Sequence, residues 1–205
     1  MITNDLNNIL GISESYQAPQ KVLDIVLGDE DTRNKIYDSL ARYFKYDYSR
    51  DWFFEYFEEE HADRKNNKQD FTPPSLARLV SKIIHSDSLE GVHYEPSAGT
   101  GQMIILNWED VRKKYHPFDY LPNSHLVVAQ ELSQKTIPFL LLNMSIRGMS
   151  GIAIHGNTLT QEIKAAYLVI NEKNSIASYS KVIQIEIEND VEVIGNATIT
   201  QQSLF

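Results

Sequence analysis

The sequence predicts an α/β fold in which helices flank an open, mostly parallel sheet and a helical region precedes it. Three observations carry this expectation. From Phe71 onward, short apolar segments of strand length alternate with longer segments of helical period. A glycine turn, Gly99-Thr100-Gly101, stands between the first of those strands and the helix after it. Before residue 70 the apolar spacing is helical and needs no strand. The expected division is a helical region over 1–68 and an α/β domain over 69–205.

In the first region, Pro19 opens a helix over 20–27, a second follows over 29–44, and Ser49 or Asp51 caps a third over 52–62. Trp52, Phe53, Tyr56 and Phe57 fall on one stripe of that third helix, which reads as helix core rather than a ligand box. Glu58, Glu59 and Glu60 read as a solvated face, and the polar string 64–69 as a linker. Pro74 begins a helix to about residue 84. Strands are expected at 92–95, 125–129, 152–155 and 166–170 with helices between them, the clearest being 102–115 and 133–147, the latter closed by Gly148. Segments 182–188 and 191–194 alternate apolar and polar around Asn189-Asp190, as an antiparallel hairpin does.

Composition excludes several classes. The 205 residues include no cysteine, so neither a disulfide scaffold nor a cysteine-ligated metal or cluster is possible. The start, MITNDLNNILG, lacks a basic segment followed by an apolar one, and no window approaches the ~20 apolar residues of a membrane span. A soluble, cytoplasmic chain is expected. The formal charge of −9 repels phosphate at long range, so contact with nucleic acid needs a local basic patch or a partner. The histidines show no ligand spacing, no G-x-S-x-G is present, and the basic trio Arg112, Lys113, Lys114 reads as a helix end rather than a phosphate site.

The segment Glu95-Pro96-Ser97-Ala98-Gly99-Thr100-Gly101 carries the strongest functional signal. Its glycines allow a sharp turn and close approach of backbone to a ligand. A dinucleotide fingerprint wants a third glycine where Ile104 stands, and no Gly-Lys-Ser/Thr follows, so nicotinamide and ATP fit poorly. Glu131 ends the next expected strand, where a carboxylate can accept both hydroxyls of a ribose.

The ordered set FTP (71–73), EPSAGTG (95–101), AQELSQKT with LLNMSIRG (129–148) and GNTL (156–159) resembles the modification subunit of type I restriction systems and related adenine-N6 DNA methyltransferases. The resemblance covers about residues 60–171, and the preceding helices look like a shortened form of that family's helical N-terminal domain. It implies a Rossmann-like S-adenosylmethionine-dependent methyltransferase fold, here with a truncated mixed sheet finished by a C-terminal hairpin. Phe71, Thr72 and Pro73 would cover the methionine end of S-adenosyl-L-methionine, Glu95, Ala98, Gly99 and Gly101 would wall it, and Glu131 would hold the ribose. Asn157 stands where the family usually has an aspartate that accepts from the cofactor's adenine amino group, and an asparagine carbonyl can accept the same bond.

The family's catalytic Asn/Asp-Pro-Pro-Tyr/Phe follows its fourth strand, where it accepts from the target amine and stacks the flipped base. Here the run is Asn171-Glu172-Lys173-Asn174: the asparagine is kept, while both prolines and the aromatic ring are replaced. The lost stacking alone is worth ~1–3 kcal/mol, so weak or no activity is expected of the chain alone. Only 34 residues follow Asn171, where Lys173 and Lys181 face five acidic residues, so this segment is not expected to read DNA. The resemblance implies DNA contact only weakly or through a specificity subunit. Two alternatives stand beside it: a non-catalytic partner of modification or specificity subunits, or of itself, and a methyltransferase acting on a protein or small molecule.

Overall fold

The computed structural model describes residues 2–62, 75–76, 78, 92–188, 191–194 and 197–199. The expected linker, most of the expected helix over 74–84, and Phe71, Thr72 and Pro73 lie outside the described residues. No described helix is long and apolar enough to cross a membrane.

Four helices open the chain: α1 (Ile2–Leu10), α2 (Ala18–Leu27), α3 (Glu30–Tyr43) and α4 (Phe54–Ala62). The last three follow the expected segments, and their starts have visible causes. Pro19 lies in the first turn of α2, and Asp29 caps α3 by accepting from the Thr32 amide at 2.8 Å. The first helix was not expected from its polar sequence. It buries Leu6 and Leu10 against the others, the tertiary support that so short a helix needs.

The large sheet has the order β1 (His93–Glu95), β2 (Leu126–Glu131), β3 (Ser150–Asn157), β4 (Glu162–Ile170), β5 (Lys181–Ile185). Helix α5 (Gln102–Arg112) joins β1 to β2, and α6 (Ile137–Ile146) joins β2 to β3; both pairs of strands run parallel. The second half makes the sheet mixed, as expected: β4 runs antiparallel to β3, and β5 antiparallel to β4. Both β3 and β4 are longer than the expected strands, so only residues 158–161 remain between them. A parallel return needs a crossover of about a dozen residues or more, so this connection can make only a hairpin.

Strands β6 (Ile187–Glu188), β7 (Val191–Ile194) and β8 (Ala197–Ile199) form a separate three-stranded sheet. Glu188 pairs with Val191 across the expected hairpin, whereas the first part of the expected arm, Lys181–Ile185, belongs to the large sheet.

One hydrophobic core runs through both halves of the chain. Helix α6 lies in its middle with all ten residues buried, which explains a sequence in which only Asn143 and Ser145 are polar. The aromatic stripe of the helical region closes on its Phe139: Phe53 and Phe57 each meet that ring edge-on at 4.9 Å, and Tyr56 lies at 5.9 Å. Arg147, just after α6, donates to the carbonyls of Tyr48 at 2.9 Å and Arg50 at 2.6 Å. The helical region and the α/β region therefore share a single interior.

Candidate functional site

Because β1, β2 and β3 run parallel, their C-terminal ends bring Glu95, Glu131 and Asn157 to one edge of the sheet, here the carboxyl edge. The turn from β1 into α5 crosses it. Gly99 has φ 56° and Gly101 φ 106°, conformations that side-chain-bearing residues rarely adopt. A Cβ on Gly101 would also lie 3.1 Å from Leu140 Cδ1. The turn is fastened to the next strand: the Ala98 amide donates to the Gln130 carbonyl at 2.8 Å, and the Gly99 amide to Glu131 Oε2 at 2.8 Å.

Glu131 is 5% exposed, and its other oxygen accepts from the Ser133 amide at 2.7 Å. It is thus first of all a brace that locks the glycine turn to the end of β2. A carboxylate has about four lone-pair positions, and these two amides leave positions for the hydroxyls of a ribose. Glu95 accepts from the Ser97 amide at 3.3 Å, and burial raises its pKa above the ordinary carboxylate value. Ala98 is buried beneath the turn.

Asn157 does not present the acceptor expected of it. Its Oδ1 already accepts from the amides of Leu159 at 2.9 Å and Thr160 at 3.3 Å, so both lone pairs are used in closing the β3–β4 turn. Its neighbour Thr158 makes a contact that sequence reasoning missed, donating to the Pro96 carbonyl at 2.6 Å and so tying that turn to the glycine loop. Thr158 belongs to the same GNTL segment as Asn157.

A family model described as N-6 DNA Methylase matches residues 49–193, more than two-thirds of the chain. The chain belongs to the N-6 DNA methylase family. None of the curated proteins compared with it matches. The match begins earlier than the motifs suggested and takes in the start of α4. The N-6 DNA methylase fold is the Rossmann-like methyltransferase fold, and the family uses S-adenosylmethionine.

Asn171 stands apart from that set of residues at the carboxyl edge. In a parallel sheet the end of the fourth strand emerges beside the glycine turn. Here β4 runs the other way, so Asn171 comes out next to the start of β3, where its amide donates to Ser150 Oγ at 3.1 Å. Asn123, just before β2, donates to the Asn171 carbonyl at 3.1 Å. From this amino edge to Glu131 is the length of β2, roughly 17 Å at ~3.3 Å per residue. Asn171 is wholly buried, and its Nδ2 donates to the carbonyls of Gly148, Ser175 and Ser178 at 3.0, 2.8 and 3.1 Å. Those bonds close the loop after β4. The structure brings Glu95, Ala98, Gly99, Gly101, Glu131 and Asn157 together and leaves Asn171 at the opposite edge.

A cavity of about 490 Å³ opens near that second edge, lined in part by Tyr48, Trp108, Arg112, Arg147, Ser178 and Tyr179. Its acidic wall is already paired: Glu109 holds Arg112 at 2.6 Å and Lys113 at 2.9 Å.

Proposed function

We propose that this N-6 DNA methylase family member binds S-adenosyl-L-methionine at the carboxyl edge and does not by itself transfer the methyl group to DNA. The Glu131–Gly99 bond carries the first half of the proposal. It holds a positive-φ glycine turn and a strand-end carboxylate together, with acceptor capacity left for a ribose. The residues present fit the cofactor there: Glu131 would take the ribose hydroxyls, while Glu95, Ala98, Gly99 and Gly101 would wall the methionine portion. Phe71, Thr72 and Pro73 keep the covering role that the resemblance implies. When bound, the cofactor supplies a methyl group activated by a positive sulfur. Asn157 would hold the adenine amino group only if its turn opened.

The reversed β4 carries the second half. An amine methyltransferase must hold the target nitrogen in line with the activated methyl, and Asn171 is separated from the glycine turn by the length of the sheet. The chain would then resemble a type I modification subunit in its cofactor half and depend on another chain for transfer.

Calorimetry with S-adenosylmethionine tests the binding site. Gly99→Val and Glu131→Ala should each weaken affinity at least about tenfold: valine puts a β-branched side chain where the backbone has φ 56°, and alanine removes the carboxylate that holds the turn. Unchanged affinity in both variants, or no binding by the unaltered chain, overturns the assignment. Labelled methyl transfer to unmethylated DNA should be absent with this chain alone, and incorporation without a partner refutes the second half.

The same reversal favours a second reading, a non-catalytic partner of modification or specificity subunits or of itself. Pull-down with purified subunits and a solution mass test it; recovery of none together with a monomeric mass rejects it.

A further inference from the structure

The glycine turn is held from a second side, by the helical region. The Thr100 hydroxyl, between the two glycines, donates to Asp51 Oδ2. Asp51 Oδ1 accepts from Asn143 Nδ2 at 2.9 Å, and the same nitrogen donates to the Thr100 carbonyl at 2.8 Å. The hydroxyl and the carbonyl of Thr100 thus both end on one carboxylate–amide pair. Asp51 is 7% exposed, and Thr100 and Asn143 1% each, so water cannot readily replace these bonds.

The pair is itself fixed. The Phe53 amide donates to Asp51 Oδ1 at 2.9 Å, which seats the carboxylate at the start of α4. Asn143 Oδ1 accepts from Arg147 Nη1 at 2.8 Å, and Arg147 returns to the Arg50 carbonyl at 2.6 Å, next to Asp51. The guanidinium also lies over the Trp52 ring at 5.2 Å. The result is a closed buried ring of Asp51, Thr100, Asn143 and Arg147, built from the helical region, the glycine turn and α6. Burial pushes the Arg147 pKa down to about 10, so it stays charged at neutral pH, and the nearby Asp51 carboxylate opposes that fall.

A turn with two glycines has many conformations to lose, so its bound shape must be imposed by anchors. Glu131 supplies one, from the sheet. We propose that Asp51 supplies the other: it is a positioning residue that holds Thr100, and hence Gly99 and Gly101, in the cofactor-binding conformation, making affinity conditional on the docked segment 47–53. This rests on the reading that the glycine turn binds S-adenosylmethionine. It adds to that reading a contribution from outside the α/β region.

The test uses the full chain with Thr100→Val, Thr100→Ser and Asp51→Asn. Valine keeps the shape and removes the hydroxyl; serine keeps the hydroxyl. Two quantities are read, cofactor affinity by calorimetry and amide hydrogen exchange at Gly99 and Gly101 without cofactor. If the anchored turn becomes a minor conformer, apparent affinity falls by its population, so a bond of this kind predicts a loss of about tenfold. Thr100→Val and Asp51→Asn should show that loss together with faster exchange confined to the turn, and Thr100→Ser should restore both. Unaltered affinity and exchange in Thr100→Val overturn the proposal, as does faster exchange spread evenly over α6 and β3. An unaltered chain that fails to bind the cofactor sinks the underlying reading and this role with it. Normal binding that Thr100→Val leaves unchanged sinks this role alone.

Discussion

Replacing Asn171 with alanine separates a loop-closing asparagine from a catalytic one. The side chain is wholly buried and reaches three carbonyls, of Gly148, Ser175 and Ser178, while its Oδ1 accepts from the Ser175 amide at 3.2 Å. Alanine removes all of these at once and leaves buried carbonyls without their donor. The two N–H groups share the three carbonyls and the oxygen accepts one bond, so at a net worth of about 1 kcal/mol per bond the expected loss is roughly 3 kcal/mol. For a chain of this size that corresponds to a fall in Tm of about 6–12 °C. Asn171→Asp should cost more, because an acceptor-only carboxylate would then face three acceptors. Thermal unfolding followed by circular dichroism measures the loss, and calorimetry with S-adenosylmethionine should show unchanged affinity below the transition. Wild-type stability in Asn171→Ala, or normal stability with lost affinity, would refute the placement of this residue at the amino edge.

Two further expectations follow from burial. Phe139→Ala should destabilise by about 3–5 kcal/mol, because it empties the site where three aromatics of the helical region meet α6. Urea unfolding of the unaltered chain should give one transition by fluorescence and by circular dichroism, and two separated transitions would disprove the shared core. Burial lowers the pKa of His125 and His155 below the ordinary 6.5, so the unfolded chain binds more protons there. Their neutral forms therefore support the fold above about pH 6.5, and that support is lost progressively as pH falls from the unfolded value through the lower folded one. The urea midpoint should drop between about pH 7.5 and 5.5, and a His125→Gln, His155→Gln double variant should drop less; an equal drop refutes the attribution. Glu95, whose pKa burial raises, acts with the opposite sign and only in the carboxylate range.

The sequence by itself determined the local elements, because their causes are local. Pro19, Asp29 and Gly148 mark helix ends through their own backbone preferences. The glycine turn and Glu131 were legible for the same reason, since each sits at the end of a strand that is readable alone. The direction of β4 was decided only in the tertiary structure. Ten residues separate the strands as expected from pattern, room that admits a short helix, whereas the lengths to which β3 and β4 extend through mutual pairing leave four. That pairing sends Asn171 to the far edge and draws Asn157 into the turn. Asp51 was legible as a cap but not as an anchor of Thr100, because its partners lie 49 and 92 residues away in the chain. A buried carboxylate finds such partners only when packing excludes water and leaves it no other donors.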